Sequence, residues 1–189
     1  MANKFDEIMD VTESLIRRKG YQGFSFREIA EIVSIKSASV HYHFPTKDGL
    51  CLAILRRYLT RFEAALDEAS NSHDLPMDQI LHYINMYRHE SKNNESIPLC
   101  VVLATDIEVL SDDAVDELQE FYRLNLRWLK KTIAQGNKSL DEKDIKRKAA
   151  FIFSAMGGSL VTTRTLRDKN HFELVAETIV EQCHLMFNQ

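Results

Sequence analysis

Apolar residues recur at helical spacing almost from the start of the chain. Phe5, Ile8, Met9, Thr12, Leu15 and Ile16 share one face, the i, i+3, i+4 signature of an amphipathic helix. Arg17, Arg18 and Lys19 suit the negative end of that helix, and Gly20 is placed to take a left-handed stop. Ser25 and Glu28 have capping-box spacing ahead of Phe26, Ile29, Ala30 and Val33, which predicts a short second helix. The turn Ser34-Ile35-Lys36 leads to a third helix, capped by Ser37 and running to about Phe44; Pro45 stops it and Thr46 caps a fourth. Two short helices across so tight a turn have the helix-turn-helix layout, whose second helix enters the major groove of DNA.

From Lys47 onward the pattern is long helices with polar breaks. The spacing predicts helices to about Ala69, from Met77 to Lys92, from Pro98 to near Leu110, from Asp112 to Gln135, from Asp141 to about Thr165 and from His171 to Phe187. No strand-like alternation, repeat or low-complexity tract interrupts them. The expected fold is all-α, with about nine helices.

Composition agrees: six Gly and three Pro in 189 residues leave little material for sheet turns. The net charge of -4 speaks against nucleic acid until its distribution is considered. Residues 1–60 carry nine Lys and Arg against seven acids, a balance of +2, and the remainder fifteen against twenty-one, a balance of -6. No acid lies between Glu31 and Asp48, the stretch holding Lys36, His41, His43 and Lys47. A local positive face can hold phosphates on an acidic protein, because salt screens charges beyond about 8–10 Å.

Cys51, Cys100 and Cys183 form no CxxC pair, so neither zinc nor a disulfide is expected, and a reducing compartment fits. The first residues are charged (Lys4, Asp6, Glu7) where a signal peptide would be apolar. The longest uncharged run, Ala149–Thr163, contains Gly, Ser and Thr. A cytoplasmic location with no membrane partner is expected.

From Gly20-Tyr21 through Leu50 the chain resembles the TetR family of bacterial transcriptional regulators. The resemblance rests on Phe24-Ser25, Arg27, Ile29-Ala30 and above all the run from Ser37 to Leu50, SASVHYHFPTKDGL. It departs from the usual family pattern at three places: Ser34 and Ala38 stand where Gly is common, and His41 where Tyr is common. Ser34 in place of Gly raises the cost of a left-handed turn. The resemblance implies a helix-turn-helix DNA-binding domain over residues 1–50, followed by a helical effector-binding and dimerisation domain over residues 51–189.

The residue types make the same point chemically. A helix tip entering a groove needs small polar residues so that its backbone approaches base edges, and Lys36, Ser37, Ala38 and Ser39 supply that. Around it the hydroxyls of Ser25 and Tyr42, the imidazoles of His41 and His43, and Lys47 are candidates for positioning contacts to phosphates. Arg27 can reach either a guanine edge or a phosphate. The His41/His43 pair invites a metal reading, but residues two apart on a helix do not face each other, and no metal or other cofactor is expected.

For the larger domain the resemblance implies an effector pocket among the fourth to eighth helices. The candidates that combine bulk with polar handles are Phe62, Tyr83, Met86 and Tyr87, then Leu103 and Ile107, then Phe121, Tyr122, Leu126 and Trp128. Tyr83 and Tyr87, one turn apart, stand out because a buried hydroxyl needs a partner that a ligand could supply. Cys100 sits just after Pro98 in a stretch resembling the cysteine-bearing sixth helix of some TetR-family electrophile sensors. A free Cys among Val and Leu is usually a small buried apolar residue.

Phe153, Met156, Gly157 and Leu160, with Val175, Ile179 and Cys183 on the last helix, form broad apolar faces suited to a four-helix bundle between two subunits, or to an intrachain core. The expected function is a homodimeric, non-enzymatic repressor that leaves a palindromic double-stranded operator when a small-molecule effector binds. An activator is the alternative. A helical metal-dependent enzyme would want paired Glu-x-x-His motifs, and only Glu181 with His184 fits that spacing.

Overall fold

The computed structural model describes residues 3–92, 97–168 and 170–188. Among them are nine α-helices and no strand: α1 (Lys4–Lys19), α2 (Phe26–Val33), α3 (Ser37–His43), α4 (Lys47–Ser72), α5 (Pro76–Lys92), α6 (Leu99–Thr105), α7 (Asp112–Gly136), α8 (Glu142–Leu166) and α9 (Asn170–Phe187). They form two compact units, one of residues up to Arg61 with Pro98–Phe121, the other of Phe62–Ile97 with Tyr122–Gln189.

In the first unit, side-chain caps start α1, α2 and α4. Asn3 caps α1, its side chain accepting from Phe5 N–H at 3.2 Å. Ser25 Oγ accepts from Glu28 N–H at 3.2 Å, while the Glu28 carboxylate pairs with Lys19 Nζ at 2.5 Å. Thr46 Oγ1 caps α4 through Gly49 N–H at 3.0 Å. Ser37 differs from expectation: the cap of α3 is Lys36, without a side-chain hydrogen bond, and Ser37 is the first helical residue. Its hydroxyl is thus left outside the capping scheme.

The stops are also informative. Ser34 ends α2 in the left-handed region at φ 57°, ψ 48°. Gly20 ends α1 at φ 77°, ψ 176°, an extended positive-φ conformation where a left-handed helical stop was expected. A Cβ at Gly20 would lie 2.9 Å from Asp106 Oδ2, whose carboxylate accepts from Tyr21 N–H at 2.7 Å. The helix expected to reach Leu110 ends at Thr105 for a related reason. Asp106 leaves it to make this contact, and a single 3-10 turn, Ile107–Val109, follows.

The core of this unit is the inward stripe of α1 (Ile8, Leu15, Ile16) with Ile29, Val33, Val40, Leu50, Ile54 and Leu103. Beside it the carboxylate of Glu13, 8% exposed, meets Arg17 and Arg61 at 2.8 Å each and Arg57 at 3.3 Å, pinning α1 to α4. Burial raises the Glu13 pKa, but attraction and hydrogen bonds from Arg17 and Arg61 outweigh it and hold the carboxyl below its ordinary value.

The second unit packs around Tyr83, Trp128, Leu129, Ile133, Ile152, Met156, Phe172 and Ile179. Trp128 Nε1–H donates to Leu66 O at 3.1 Å and Ser70 Oγ at 2.8 Å. Arg88 joins α5 to α9 through a two-pronged pair with Glu173, at 2.8 and 3.0 Å from Nε and 2.8 Å from Nη2. Asn137 Nδ2 donates to Met186 O at 2.7 Å, holding the last turn of α9 to the α7–α8 connection.

Candidate functional site

Two residues fix which way α3 faces. Val40 is fully buried and Phe44, four residues on, is 5% exposed, stacked on Phe5 of α1 at 4.8 Å. With one face anchored so, Lys36, Ser37, Ala38, His41 and Tyr42 are exposed and Ser39 is half-buried. Tyr42, 83% exposed, is the most outward large side chain of the helix. Hydroxyls, a small residue and a cation therefore share a free face, as base-edge and phosphate contacts require.

The remaining candidates divide by what already holds them. Arg27 is exposed on α2, its Nε paired with Glu31 at 3.0 Å, and the rest of its guanidinium fork lies at the surface. Ser25 is exposed, but its hydroxyl is the cap of α2. His41 sits edge-on to Phe26 at 4.6 Å, and His43 edge-on to Phe5 at 6.1 Å. The two imidazoles thus brace α3 against different helices and do not converge. Among the described residues no group of three or more His, Cys, Asp or Glu could hold a metal ion.

Lys47 makes contacts within the domain. Its ammonium, expected at a phosphate, donates to Phe24 O at 3.0 Å and lies over the rings of Phe24 and Tyr21, 4.2 and 4.9 Å from their centroids. Burial lowers its pKa from the ordinary lysine value. Tyr21 is fixed at both ends, its hydroxyl hydrogen-bonded to Asp48 and its N–H to Asp106. Burial and the Asp48 carboxylate raise the phenol pKa well above its usual value.

The expected effector residues are distributed over both units. Phe62, Tyr83, Met86, Tyr87, Tyr122, Leu126 and Trp128 belong to the second unit, whereas Cys100, Leu103, Ile107 and Phe121 belong to the first. Tyr83 and Tyr87 also lack the open hydroxyls their spacing suggested. Asn125 Oδ1 lies 2.8 Å from the Tyr83 hydroxyl and 3.3 Å from that of Tyr87, and Trp128 stacks on Tyr83 at 5.3 Å. Asn125, fully buried, is the residue that spacing analysis passed over. Its signal was an amide set between Phe121, Leu118 and Leu129 on the inward stripe of α7. Tyr122 packs edge-on against Phe153 at 5.2 Å. Cys100 is 1% exposed near the start of α6, and Ile107 is exposed.

Four of the seven expected dimer residues lie in the core of the second unit. Met156, Leu160, Ile179 and Cys183 are buried in the core of the second unit, with Phe153 and Val175 packed against it and Gly157 half-buried. Phe153, Gly157 and Val175 keep part of their surface open. The outward stripes of the same helices carry Phe151, 55% exposed, Val161, Leu174 and Leu185, 62% exposed. A side chain at Gly158, between Phe151 and Val161, would meet open space.

Residues 8–54 match the family model described as bacterial regulatory proteins, tetR family. An uncharacterized HTH-type transcriptional regulator of Lactococcus lactis subsp. lactis is 24% identical over 179 residues, covering 92% of this chain and 89% of its own. The IcaR negative transcriptional regulator of the biofilm operon of Staphylococcus aureus is 42% identical over 45 residues, 24% of each chain. The crystal structure of a TetR transcriptional regulator from Legionella pneumophila superposes with a TM-score of 0.89 at 29% identity, over 96% of this chain and 98% of that one. Residues 8–54, which hold α2 and α3, are thus matched as a helix-turn-helix domain of the tetR family of bacterial regulatory proteins, and similarity to a solved TetR transcriptional regulator extends along nearly the whole length of the chain.

Proposed function

We propose that this regulator is a cytoplasmic, homodimeric repressor. Residues 1–50 read a palindromic operator, and residues 51–189 bind a small-molecule effector and form the dimer. The observation that carries the reading is the free face of α3: Ser37, Ala38 and Tyr42 point outward while Val40 and Phe44 anchor the helix. Lys36, Ser37, Ala38 and Ser39 approach base edges; Tyr42 contacts a phosphate, and the free edge of Arg27 takes a guanine or a phosphate. His41 and His43 add polar edges beside them.

The outward stripes of α8 and α9 support the dimer, because exposed apolar rows on neighbouring helices suit a second copy related by two-fold symmetry. Two reading helices then meet half-sites about 34 Å apart. An effector that favours another separation couples the two sites by about 1–3 kcal/mol. The repressor assignment draws on the negative transcriptional regulator to which 45 residues of this chain are 42% identical.

Selection of bound fragments from random-sequence DNA by the full-length chain tests the reading. Enrichment of a palindrome whose affinity falls steeply with salt supports it; absence of any sequence preference overturns it. A reporter downstream of the recovered site, silenced when the chain is present, separates repression from activation.

A further inference from the structure

The imidazoles of His41 and His43 on α3 have different surroundings. His43 is half-buried, edge-on to Phe5 of α1 and to Tyr42. His41 is exposed, one turn beyond Ser37 and Ala38 on the same free face, and meets the half-buried Phe26 of α2 edge-on at 4.6 Å. That ring contact places the imidazole without using its nitrogens, which have no hydrogen-bond or ion-pair partner among the described residues.

The charged groups on the neighbouring elements have other partners. On α2, Arg27 pairs with Glu31 and Glu28 with Lys19. On α4, Asp48 takes the Tyr21 hydroxyl and Lys47 donates to Phe24 O. On α1, Lys4 pairs with Glu7, and Asp6 is exposed. α3 itself carries no acid and has Lys36 at its cap. None of these carboxylates makes an ion pair with His41, so a positive charge on its ring is open to an anion from outside the chain.

We propose that DNA binding by this chain takes up a proton at His41: the imidazolium is the form that holds a backbone phosphate, so DNA affinity rises as pH falls. This rests on the DNA reading above and adds a regulation to the same surface. Histidine is the side chain that changes charge between about pH 5 and 8. Neutral imidazole has one N–H donor; the cation has two and makes the stronger, charge-assisted bond. A cation at a phosphate also releases a counterion, so the proton steepens the salt dependence. Phosphates are common to every sequence, and the gain is therefore shared by all duplexes.

The test uses the full-length chain, a duplex recovered by the wild-type protein from a random pool and a shuffled duplex of equal composition, titrated at about pH 8 and about pH 6 over about 50–200 mM salt. Wild type is expected to bind both duplexes about tenfold more tightly at the lower pH, with a log–log salt slope steeper by about one. His41→Gln, which keeps a donor and cannot charge, abolishes both changes. His41→Lys, charged throughout, has the steeper slope at both pH values. His43→Gln keeps the tenfold ratio whatever its overall affinity.

A wild-type affinity that does not change with pH overturns the proposal, as does a His41→Gln chain that keeps the rise. Should His41→Gln fail to fold, His41→Lys decides, and a tenfold rise in that variant is equally fatal. Loss of the ratio in His43→Gln alone moves the proton to the other ring and also overturns it. A wild-type chain that binds neither duplex overturns the DNA reading itself, a result distinct from these.

Discussion

Ser34 is one of two described non-glycine residues at positive φ, and it sits at the turn between the two helices of the motif. An L-residue there costs roughly 1–2 kcal/mol, and glycine's extra freedom in the unfolded chain returns about 0.4–1 kcal/mol of that. Ser34→Gly should therefore stabilise the protein by about 0.5–1 kcal/mol, read as a higher urea midpoint with unchanged slope. Asn125 tests the opposite case. Asn125→Leu removes the acceptor beside two buried tyrosine hydroxyls and is expected to cost about 1–3 kcal/mol in the same measurement. A neutral result would mean the hydroxyls find other partners. Cap residues such as Ser25 and Thr46 were legible because a cap is a local rule between residues three apart. Asn125 was not, because its partners on α5 lie about forty positions away and no spacing rule connects them.

At the scale of elements, nine helices were readable from periodicity, but the inward side of a helix was not always so. Along α8, Phe151, Phe153, Met156, Leu160 and Val161 leave two apolar stripes, and hydrophobicity alone does not rank them. The structure turns Met156 and Leu160 in and Phe151 and Val161 out. The join between α1 and α4 was equally hidden, since Glu13 finds Arg57 and Arg61 more than forty residues on. Its carboxyl has a lowered pKa in the folded chain, so its contribution to stability is present above the unfolded value and lost as pH falls through the folded one. Glu13→Gln should flatten the decline of the urea midpoint between about pH 5 and about pH 3. An identical decline in both proteins would show that the cluster does not govern acid stability.

For the whole molecule, the outward stripes make a sharp demand on assembly. Phe151→Glu combined with Leu185→Glu places charge on exposed positions of α8 and α9 without touching the buried core. Sedimentation of this variant as a folded monomer, against a wild-type dimer, is the expected outcome; a variant that still dimerises would move the interface elsewhere. The family match over residues 8–54 was legible early because a helix-turn-helix is specified by consecutive residues. The make-up of the unit containing it was not, since Pro98–Phe121 joins it from far along the chain. Tyr21 leans on Asp106, Arg56 on Glu117 and Tyr58 on Phe121. The reading head is therefore no detachable cassette. A chimera that grafts only the first sixty residues onto a foreign sensor would carry those three side chains without their counterparts, and a working swap has to import the distant stretch as well.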